Sequence, residues 1–297
     1  MMYDIIIIGC GPAGMTAALY AARANKKILI LDGNGYGGQI INASKIENYP
    51  GIQEISGFDF ATTLFNQIKK LGVEVKFESV EKINKSKEVF TNKNIYKSKS
   101  IIIATGVVNK KLGLDAENNF IGKGISYCAT CDGNFYKNKI VAVIGGGNSA
   151  LEDAVYLSNI ASKVYLIHRR DKFRGELKYL DELYKKENVE FILNSNVTNI
   201  IGDEKLKSIE IQDTENNKQI IEIDGMFIAI GKSPQNEIFL PIVELDKLGY
   251  INSIDGVHTN VEGIYVAGDT RVKKLRQLTT AISDGAIAAT TAIKEMK

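Results

Sequence analysis

Two glycine-rich loops, each directly after a run of branched apolar residues, constrain the fold of this chain most. The first, Gly-Cys-Gly-Pro-Ala-Gly at 9–14, follows the isoleucines at 5–8, and the second, Gly-Gly-Gly-Asn-Ser-Ala at 145–150, follows an apolar run at 139–144. A buried strand that ends in such a loop and continues as a helix is the first half of a βαβ unit. Because the pattern recurs far along the chain, it predicts two related dinucleotide-binding domains.

The residues around each loop complete the predicted βαβ units. Helices are predicted over about 14–24 and 148–160, and the apolar runs at 27–31 and 163–167 are predicted as the second strands. A chain of 297 residues is long enough for two domains of ordinary size. The sequence therefore predicts an α/β fold with two Rossmann-like domains.

Other apolar runs extend the same pattern. Those at 101–106, 227–231 and 264–269 end in small residues, which is typical of buried strands whose ends let backbone approach a ligand closely. The lysine-rich segment 82–99 predicts solvated hairpin strands.

Composition excludes several classes of function. The net charge of +2 predicts no strongly basic face, so nucleic acid is not expected as a partner. The uncharged run 5–22 approaches the length of a membrane span, but its glycines and Pro12 break it into strand, loop and helix. The first residues lack the basic region of a signal peptide, and three cysteines make no extracellular disulfide framework. We expect a cytoplasmic enzyme that does not bind membranes.

The first loop has the full spacing of a dinucleotide fingerprint. Gly9 permits the tight turn, Gly11 lets backbone reach a pyrophosphate, and Gly14 allows close packing of helix on sheet. Asp32 follows the second strand, where a carboxylate accepts hydrogen bonds from ribose hydroxyls. A lone glycine pattern can be a simple tight turn, but here strand, loop, helix, strand and acid all occur in order.

The second loop differs in the residues that follow its βαβ unit. Ala150 stands for the third glycine, which the fingerprint allows, and the second strand leads into basic residues instead of an acid. Guanidinium groups at this position bind a 2′-phosphate, so the site is predicted to prefer NADPH to NADH. The alternative is a solvated basic turn. The predicted phosphate-binding residues are His168, Arg169, Arg170 and Arg174.

Cys128 and Cys131 form a Cys-x-x-Cys pair, which is consistent with half a zinc site, a redox dithiol or two unrelated thiols. Zinc needs four ligands, yet the third cysteine, Cys10, lies in the first loop and His258 has no partner at metal spacing, so no metal is predicted. A redox dithiol beside a βαβ unit fits better. Asp132, which follows directly, is the predicted proton carrier; its alternative role is a helix-cap carboxylate.

Taken together, these motifs resemble those of the low-molecular-weight, bacterial-type thioredoxin reductases among the FAD-containing pyridine nucleotide-disulfide oxidoreductases. The similarity extends over essentially the whole chain and includes 37–39, 47–51, 128–136, 145–154 and 276–277. It implies an FAD domain at 1–114 and 245–297, with an NADPH domain at 115–244 inserted into it. It also implies a homodimer, and a rotation of one domain against the other about hinges near 114–115 and 241–244.

The resemblance further implies the site residues. Cys131 would be the thiol nearest the flavin, Cys128 the thiol that attacks the disulfide of thioredoxin, and Asp132 the proton carrier. NADPH would contact Gly147, Asn148, Ser149, His168, Arg169, Arg170, Arg174 and Gly231. FAD would contact Gly9, Gly11, Pro12, Ala13, Gly14, Asp32, Gly33, Gly37, Gly38, Gln39, Asn48, Val80, Thr105, Gly106, Gly268, Asp269, Arg276, Gln277 and Leu278.

Four sites depart from the family pattern, and at one of them Asp32 stands where some members have a neutral residue. Cys10 stands where glycine or serine is more frequent, residues 273–275 replace an acid and a tyrosine, and Asn134 replaces an apolar residue. The alternatives considered are a reductase that takes electrons from ferredoxin or deazaflavin, a small-molecule dithiol oxidase, and a nucleotide sensor without turnover. The intact arginine cluster disfavours the first two, and the Cys-x-x-Cys-Asp unit disfavours the sensor.

Overall fold

The computed structural model describes residues 2–43 and 46–296, and these form two compact units. Unit 1 comprises the described residues of 1–108 and 233–297, and unit 2 comprises 109–232. The second unit is thus inserted into the first along the chain. The two crossings, Val108–Asn109 and Lys232–Ser233, are the strands β7 and β16, which pair as a two-stranded sheet.

Both crossings lie earlier in the chain than the sequence predicted, and packing explains the difference. Phe239 and Val243 are buried in the core of unit 1, so the segment after residue 233 belongs to that unit. Leu112 and Leu114 instead pack against the core of unit 2. The predicted boundaries at 114/115 and 244/245 therefore fall inside the two units. No local pattern in these segments indicates which of the two cores their apolar side chains join.

Unit 1 is built on a seven-stranded sheet with the order β3-β2-β1-β6-β5-β4, and the seventh strand, β17, pairs with β6. β1, β2, β3, β6 and β17 are parallel neighbours, whereas β4, β5 and β6 form antiparallel hairpins. The strands are β1 (Met2–Ile8), β2 (Ile28–Leu31), β3 (Glu74–Lys76), β4 (Val80–Ile83), β5 (Glu88–Thr91), β6 (Ile95–Ile103) and β17 (Ile264–Val266).

Three helices cover this sheet: α1 (Pro12–Arg23), α2 (Gly57–Lys70) and α7 (Leu278–Glu295). α1 and α7 pack closely because both present small residues. A Cβ atom on Gly285 would lie 2.2 Å from the carbonyl oxygen of Ala13, so no side chain fits there. α2 begins at Ser56, whose hydroxyl accepts a hydrogen bond from the backbone N–H of Asp59, and it buries one face through Phe60, Leu64 and Ile68.

Unit 2 contains a five-stranded parallel sheet with the order β11-β10-β9-β15-β8 and an antiparallel sheet of β12, β13 and β14. Its elements are α3 (Glu117–Phe120), β8 (Ile125–Ser126), α4 (Ala129–Asp132), β9 (Ile140–Ile144), α5 (Asn148–Ser158), β10 (Lys163–Ile167), α6 (Leu177–Leu183), β11 (Val189–Ile192), β12 (Ser195–Gly202), β13 (Leu206–Asp213), β14 (Lys218–Glu222) and β15 (Gly225–Ile228).

The predicted βαβ units are confirmed in both sheets, with boundaries that differ by a few residues. The run 101–106 ends as a strand at Ile103, before Gly106 at φ +65°, and the run 227–231 ends at Ile228, before Gly231 at φ +101°. The predicted hairpins over 82–99 are β4, β5 and the start of β6. Among residues 2–43 and 46–296, no helix combines the length and apolarity needed to cross a membrane.

Candidate active site

The first glycine loop is held against the ends of two strands. Gly9 adopts φ +110°, and a Cβ atom on it would lie 2.3 Å from the carbonyl oxygen of Ala104 at the end of β6. A Cβ atom on Gly14 would lie 2.0 Å from the carbonyl oxygen of Gly9. Both positions therefore require glycine, as the fingerprint predicts, and α1 begins at Pro12 with its N-terminus behind the loop.

Asp32, which directly follows β2, holds the first glycine loop in place through hydrogen bonds. One carboxylate oxygen accepts the backbone N–H of Cys10 at 2.7 Å, and the other accepts the N–H of Asn34 at 2.8 Å. Burial, together with the charge of Asp32, raises the pKa of the Cys10 thiol to about 12. Cys10 is fully buried and therefore chemically inert at neutral pH.

Several segments that are distant in sequence converge beside this loop. A Cβ atom on Gly11 would meet only the Cα atom of Gly38, at 3.9 Å, and a Cβ atom on Gly38 would lie 3.2 Å from the Cα atom of Gly11, so the two backbones lie close together. The side-chain amide of Asn48 donates to that of Gln277 at 3.2 Å. No side chain stands between the two glycines, which fits the close backbone approach that a pyrophosphate requires. The neighbouring predicted contacts include Ala13, Gly37, Gln39 and Leu278.

A buried polar network connects the loops at the ends of β6 and β17. The hydroxyls of Thr105 and Thr270 lie 2.9 Å apart, and Thr270 donates to the side-chain oxygen of Asn236 at 2.7 Å. The amide of Asn236 donates to the carbonyls of Gly249 and Thr270. Asn236 and Thr270 are fully buried. The network therefore fixes the segment after the second crossing against two loops predicted to contact FAD.

Asp284 on α7 secures the loop that contains Gly268 and Asp269. Its carboxylate accepts the N–H of Gly268 at 3.0 Å and forms buried ion pairs with Arg271 at 2.8 Å and Lys273 at 2.9 Å. Burial alone would raise the pKa of Asp284, but the two cations outweigh it and the pKa is lowered. Lys273, noted as a departure in sequence, is thus part of the scaffold of this loop.

Arg276 is held beside the same loop. Its guanidinium lies 4.0 Å above the centre of the Tyr250 ring, and its Nε donates to the carbonyl of Asp269 at 3.4 Å. Gly33 lies so close to the hairpin that a Cβ atom would be 2.2 Å from the Ser79 hydroxyl, next to Val80. A contact of Val80 or Gly106 with a cofactor stays a prediction.

The second glycine loop leads into α5, which begins at Asn148. A Cβ atom on Gly147 would meet no atom within 4 Å, so the backbone there faces open space at the helix N-terminus. The side chain of Asn148 forms two hydrogen bonds with Glu176, one to its carboxylate and one from its backbone N–H. This open N-terminus fits a pyrophosphate, with Ser149 in the first turn.

His168 is built into the loop rather than exposed on it. The imidazole is buried, its Nε2 lies 3.2 Å from the carbonyl of Lys172, and it stacks on Phe173. Its ring is so close to Gly146 that a Cβ atom there would lie 2.2 Å from it. Burial lowers the pKa of His168, and the nearby arginines lower it further. The structure therefore gives the ring a supporting position beside the phosphate loop.

The arginines stand on the segment that His168 supports. Arg169, Arg170 and Arg174 are exposed, and the backbone N–H of Arg174 donates to the carbonyl of Gly146 at 2.7 Å. The basic segment is therefore tied directly to the second glycine loop, as the βαβ argument requires. Gly231 follows the end of β15 at φ +101°, and a Cβ atom on it would meet no atom within 4 Å.

Cys128 and Cys131 form a disulfide at the start of the short helix α4, with their Cα atoms 5.3 Å apart. Both cysteines are half-buried. The backbone N–H of Cys131 points at the Cys128 sulfur, 3.2 Å away. The Asp132 carboxylate accepts a hydrogen bond of 2.6 Å from the hydroxyl of Ser126, which precedes the dithiol on β8. Disulfide, carboxylate and second glycine loop thus belong to one unit.

Comparison with known proteins places this arrangement in a family. The chain matches the model of the pyridine nucleotide-disulphide oxidoreductases over residues 3–285. It is 42% identical to the thioredoxin reductase of Listeria innocua over 99% of this chain and 93% of that protein. The chain belongs to the thioredoxin reductase family of pyridine nucleotide-disulphide oxidoreductases.

Solved structures agree with this membership. The thioredoxin reductase of Lactococcus lactis matches with a TM-score of 0.85 at 39% identity over 99% of both chains, and that of T. acidophilum with 0.82 at 35% over 99% and 98%. A ferredoxin-flavin thioredoxin reductase from Clostridium acetobutylicum is more distant, with a TM-score of 0.55 at 31% identity. The predicted fold class is therefore confirmed, and the ferredoxin-dependent alternative is not favoured.

The family uses FAD and NADPH, and both glycine loops have the geometry for such cofactors. Sequence reasoning missed the side chains that hold these loops in place. Ser126, Glu176, Asn236 and Asp284 carry no motif, because each acts through a partner that is distant in sequence or already assigned another role. The spacing of Ser126, two residues before the first cysteine, is the one local signal among them.

Proposed function

We propose that this chain is a thioredoxin-disulfide reductase that passes electrons from NADPH through FAD to the Cys128–Cys131 disulfide and on to thioredoxin. The observation that carries the proposal is a disulfide in the same compact unit as a nucleotide loop with an attached arginine segment. The relatives' names support thioredoxin as the substrate.

The two glycine loops divide the cofactors between the units. The loop at 9–14, together with Asp32, Gly38, Asn48 and Gln277, would hold FAD, and the loop at 145–150 with the arginine segment would hold NADPH. When bound, FAD would couple the oxidation of NADPH to the reduction of the disulfide. The residues of this chain bind and orient both cofactors and keep the loops rigid.

The dithiol performs the exchange with the protein substrate. The Cys128 thiolate attacks one sulfur of the thioredoxin disulfide, a mixed disulfide forms, and the leaving sulfur takes a proton from Asp132. Asp132 then accepts the proton of Cys131, whose sulfur attacks Cys128, and passes that proton to the second thioredoxin sulfur as it leaves, so that thioredoxin is released reduced. Two thiols of this chain are oxidised and one disulfide of the partner is reduced, so electrons and protons balance.

We also propose a homodimer in the cytoplasm. The family resemblance supports the dimer, and sedimentation at micromolar concentration tests it. A dithiol that must be kept reduced by NADPH suits a reducing compartment.

The test of the proposed function follows the flavin colour without oxygen. We expect NADPH to bleach the yellow protein and thioredoxin disulfide to restore the colour. Cys128→Ser and Cys131→Ser should both bleach but lose thioredoxin turnover, because each lacks one sulfur of the disulfide. Cys131→Ser should also trap thioredoxin as a mixed disulfide through Cys128, whereas Cys10→Ser serves as the matched control and should turn over normally.

Two results would contradict the proposal. Turnover at the wild-type rate in either variant of the pair would show that the dithiol is not catalytic. A trap that forms on Cys131 in the Cys128→Ser protein would reverse the assigned order of the two cysteines.

A further inference from the structure

Ser126 is hydrogen-bonded both to the proposed proton carrier, Asp132, and to the backbone of the attacking cysteine, Cys128. It is the last residue of β8, it is buried, and β8 pairs in parallel with β15 at Phe227. Its hydroxyl donates to the carboxylate of Asp132 at 2.6 Å and accepts the backbone N–H of Cys128 at 3.0 Å. The Ser126 hydroxyl thus links Cys128, which precedes α4, to Asp132, the last residue of α4.

The hydroxyl proton has two possible acceptors, and distance selects between them. The carboxylate oxygen of Asp132 lies at 2.6 Å, whereas the carbonyl of Cys128 lies at 3.3 Å. An O–H···O hydrogen bond is typically about 2.5–3.0 Å long, so the contact at 2.6 Å is a strong hydrogen bond and the one at 3.3 Å is a weak one. The Ser126 hydroxyl therefore donates its hydrogen bond to the Asp132 carboxyl group, and the hydroxyl oxygen accepts the hydrogen bond from the N–H of Cys128.

We propose that Ser126 is a positioning residue for the dithiol reaction, which holds the Asp132 carboxyl group and the Cys128 backbone in one hydrogen-bonded unit. This inference rests on the proposed function, because it concerns the acid used in thiol–disulfide exchange. When the Cys128 thiolate forms a new S–S bond, the old S–S bond breaks and its leaving sulfur takes the proton from Asp132. Without the hydroxyl, the carboxyl group loses its fixed orientation toward that sulfur.

The basicity of the leaving thiolate determines whether a proton donor accelerates the exchange reaction. A strongly basic alkyl thiolate leaves slowly unless it is protonated, whereas a weakly basic aromatic thiolate leaves without a proton. Ser126 should therefore accelerate exchange with bis(2-hydroxyethyl) disulfide but not with 5,5′-dithiobis(2-nitrobenzoate). A structural defect at the dithiol would slow both reactions together.

The experiment measures both reactions in single turnover. The FAD-containing protein is reduced with dithiothreitol, freed of reductant and mixed with each disulfide, so neither NADPH nor thioredoxin is needed. With the alkyl disulfide we expect Ser126→Ala to be slower by about 10-fold and Asp132→Asn by about 100-fold, because the first loses a hydrogen bond that orients the acid and the second loses the acid itself. With the aromatic disulfide the first step, attack by Cys128, should proceed in Ser126→Ala within about 2-fold of wild type, because its leaving thiolate needs no proton.

A double variant completes the test. In the Asp132→Asn background, Ser126→Ala should add no further loss, because the serine acts through the acid. Ser158→Ala is the matched control, since Ser158 is equally buried in the same unit but its hydroxyl donates to the carbonyl of Val155. Equal slowing with both disulfides, no slowing with either, or additive losses in the double variant would each overturn the proposal. Failure of thioredoxin reduction by the wild type would instead contradict the proposed function and leave these rates interpretable.

Discussion

At the scale of single residues, we propose that Arg169 and Arg170 decide which nicotinamide cofactor is used. Both are exposed on the segment that is tied to the second glycine loop, where only a 2′-phosphate distinguishes NADPH from NADH. We expect Arg169→Ala with Arg170→Ala to raise the KM for NADPH by roughly 10- to 1000-fold, because each charge-assisted contact contributes about 1.5–3 kcal/mol before solvent screening.

The KM for NADH measures the specificity of this effect. It should change little in the double variant, since NADH lacks the 2′-phosphate. Arg23→Ala, an exposed arginine at the end of α1, is the control and should leave both constants unchanged. Equal losses for NADPH and NADH would contradict the assignment of the arginine segment.

Residues with a steric or redox reason for their identity are the ones that sequence reasoning finds. Gly9 and Gly14 are required by close backbone contacts, and the cysteine pair is defined by its spacing. The buried ring of His168 supports the second loop, which no local pattern reveals, and its contact with NADPH stays a prediction. Ser126 was missed because a buried serine is ordinary until its hydroxyl is seen on Asp132.

At the scale of elements, the network of Asn236, Thr105 and Thr270 connects three segments of unit 1. Asn236→Leu would remove one hydrogen-bond partner each from the Thr270 hydroxyl and from the carbonyls of Gly249 and Thr270. A lost hydrogen bond costs about 0.5–1.5 kcal/mol, so for three of them we expect the melting temperature to fall by about 5–15 °C. FAD retention after gel filtration should fall as well, because the displaced loops are predicted to contact the flavin.

Two substitutions control for this experiment. Asn252→Leu places the same side chain at an exposed position of the same unit and should melt like the wild type. Thr270→Ser keeps the hydroxyl that Thr270→Val removes, so only the valine variant should resemble Asn236→Leu. An Asn236→Leu protein with unchanged melting and FAD content would show that the network is dispensable.

Elements with a local signal were predicted, and those governed by distant packing were not. The apolar runs that precede both glycine loops are β1 and β9, as the sequence indicates. α7 has no comparable run of large apolar residues, because its alanines, threonines and Gly285 allow it to pack closely against α1. The bounds of the two units were also missed, since Phe239 and Leu114 reveal their cores only by contact.

At the scale of the whole molecule, the order of sites along the chain constrains how electrons are passed on. The disulfide at 128–131 and the loop at 145–150 belong to unit 2, and β9 runs between them as part of a buried parallel sheet. They cannot exchange places by movement of a loop. If unit 1 holds the flavin, as we propose, both the nicotinamide and the disulfide must reach it, and we expect the units to rotate about the crossings at 108–109 and 232–233.

A covalent lock between the units tests this rotation. One cysteine is introduced into each unit and the pair is joined with a bismaleimide while Cys128 and Cys131 remain oxidised; buried Cys10 does not react. The locked protein should retain either bleaching of the flavin by NADPH or exchange of electrons between flavin and disulfide, but not both. Turnover should then fall by at least about 10-fold, since the other half-reaction requires the rotated arrangement. The single-cysteine variants treated with a monofunctional maleimide should turn over normally. A locked protein that performs both half-reactions at the wild-type rate would exclude rotation, because cofactor and disulfide would then reach the flavin from one fixed arrangement.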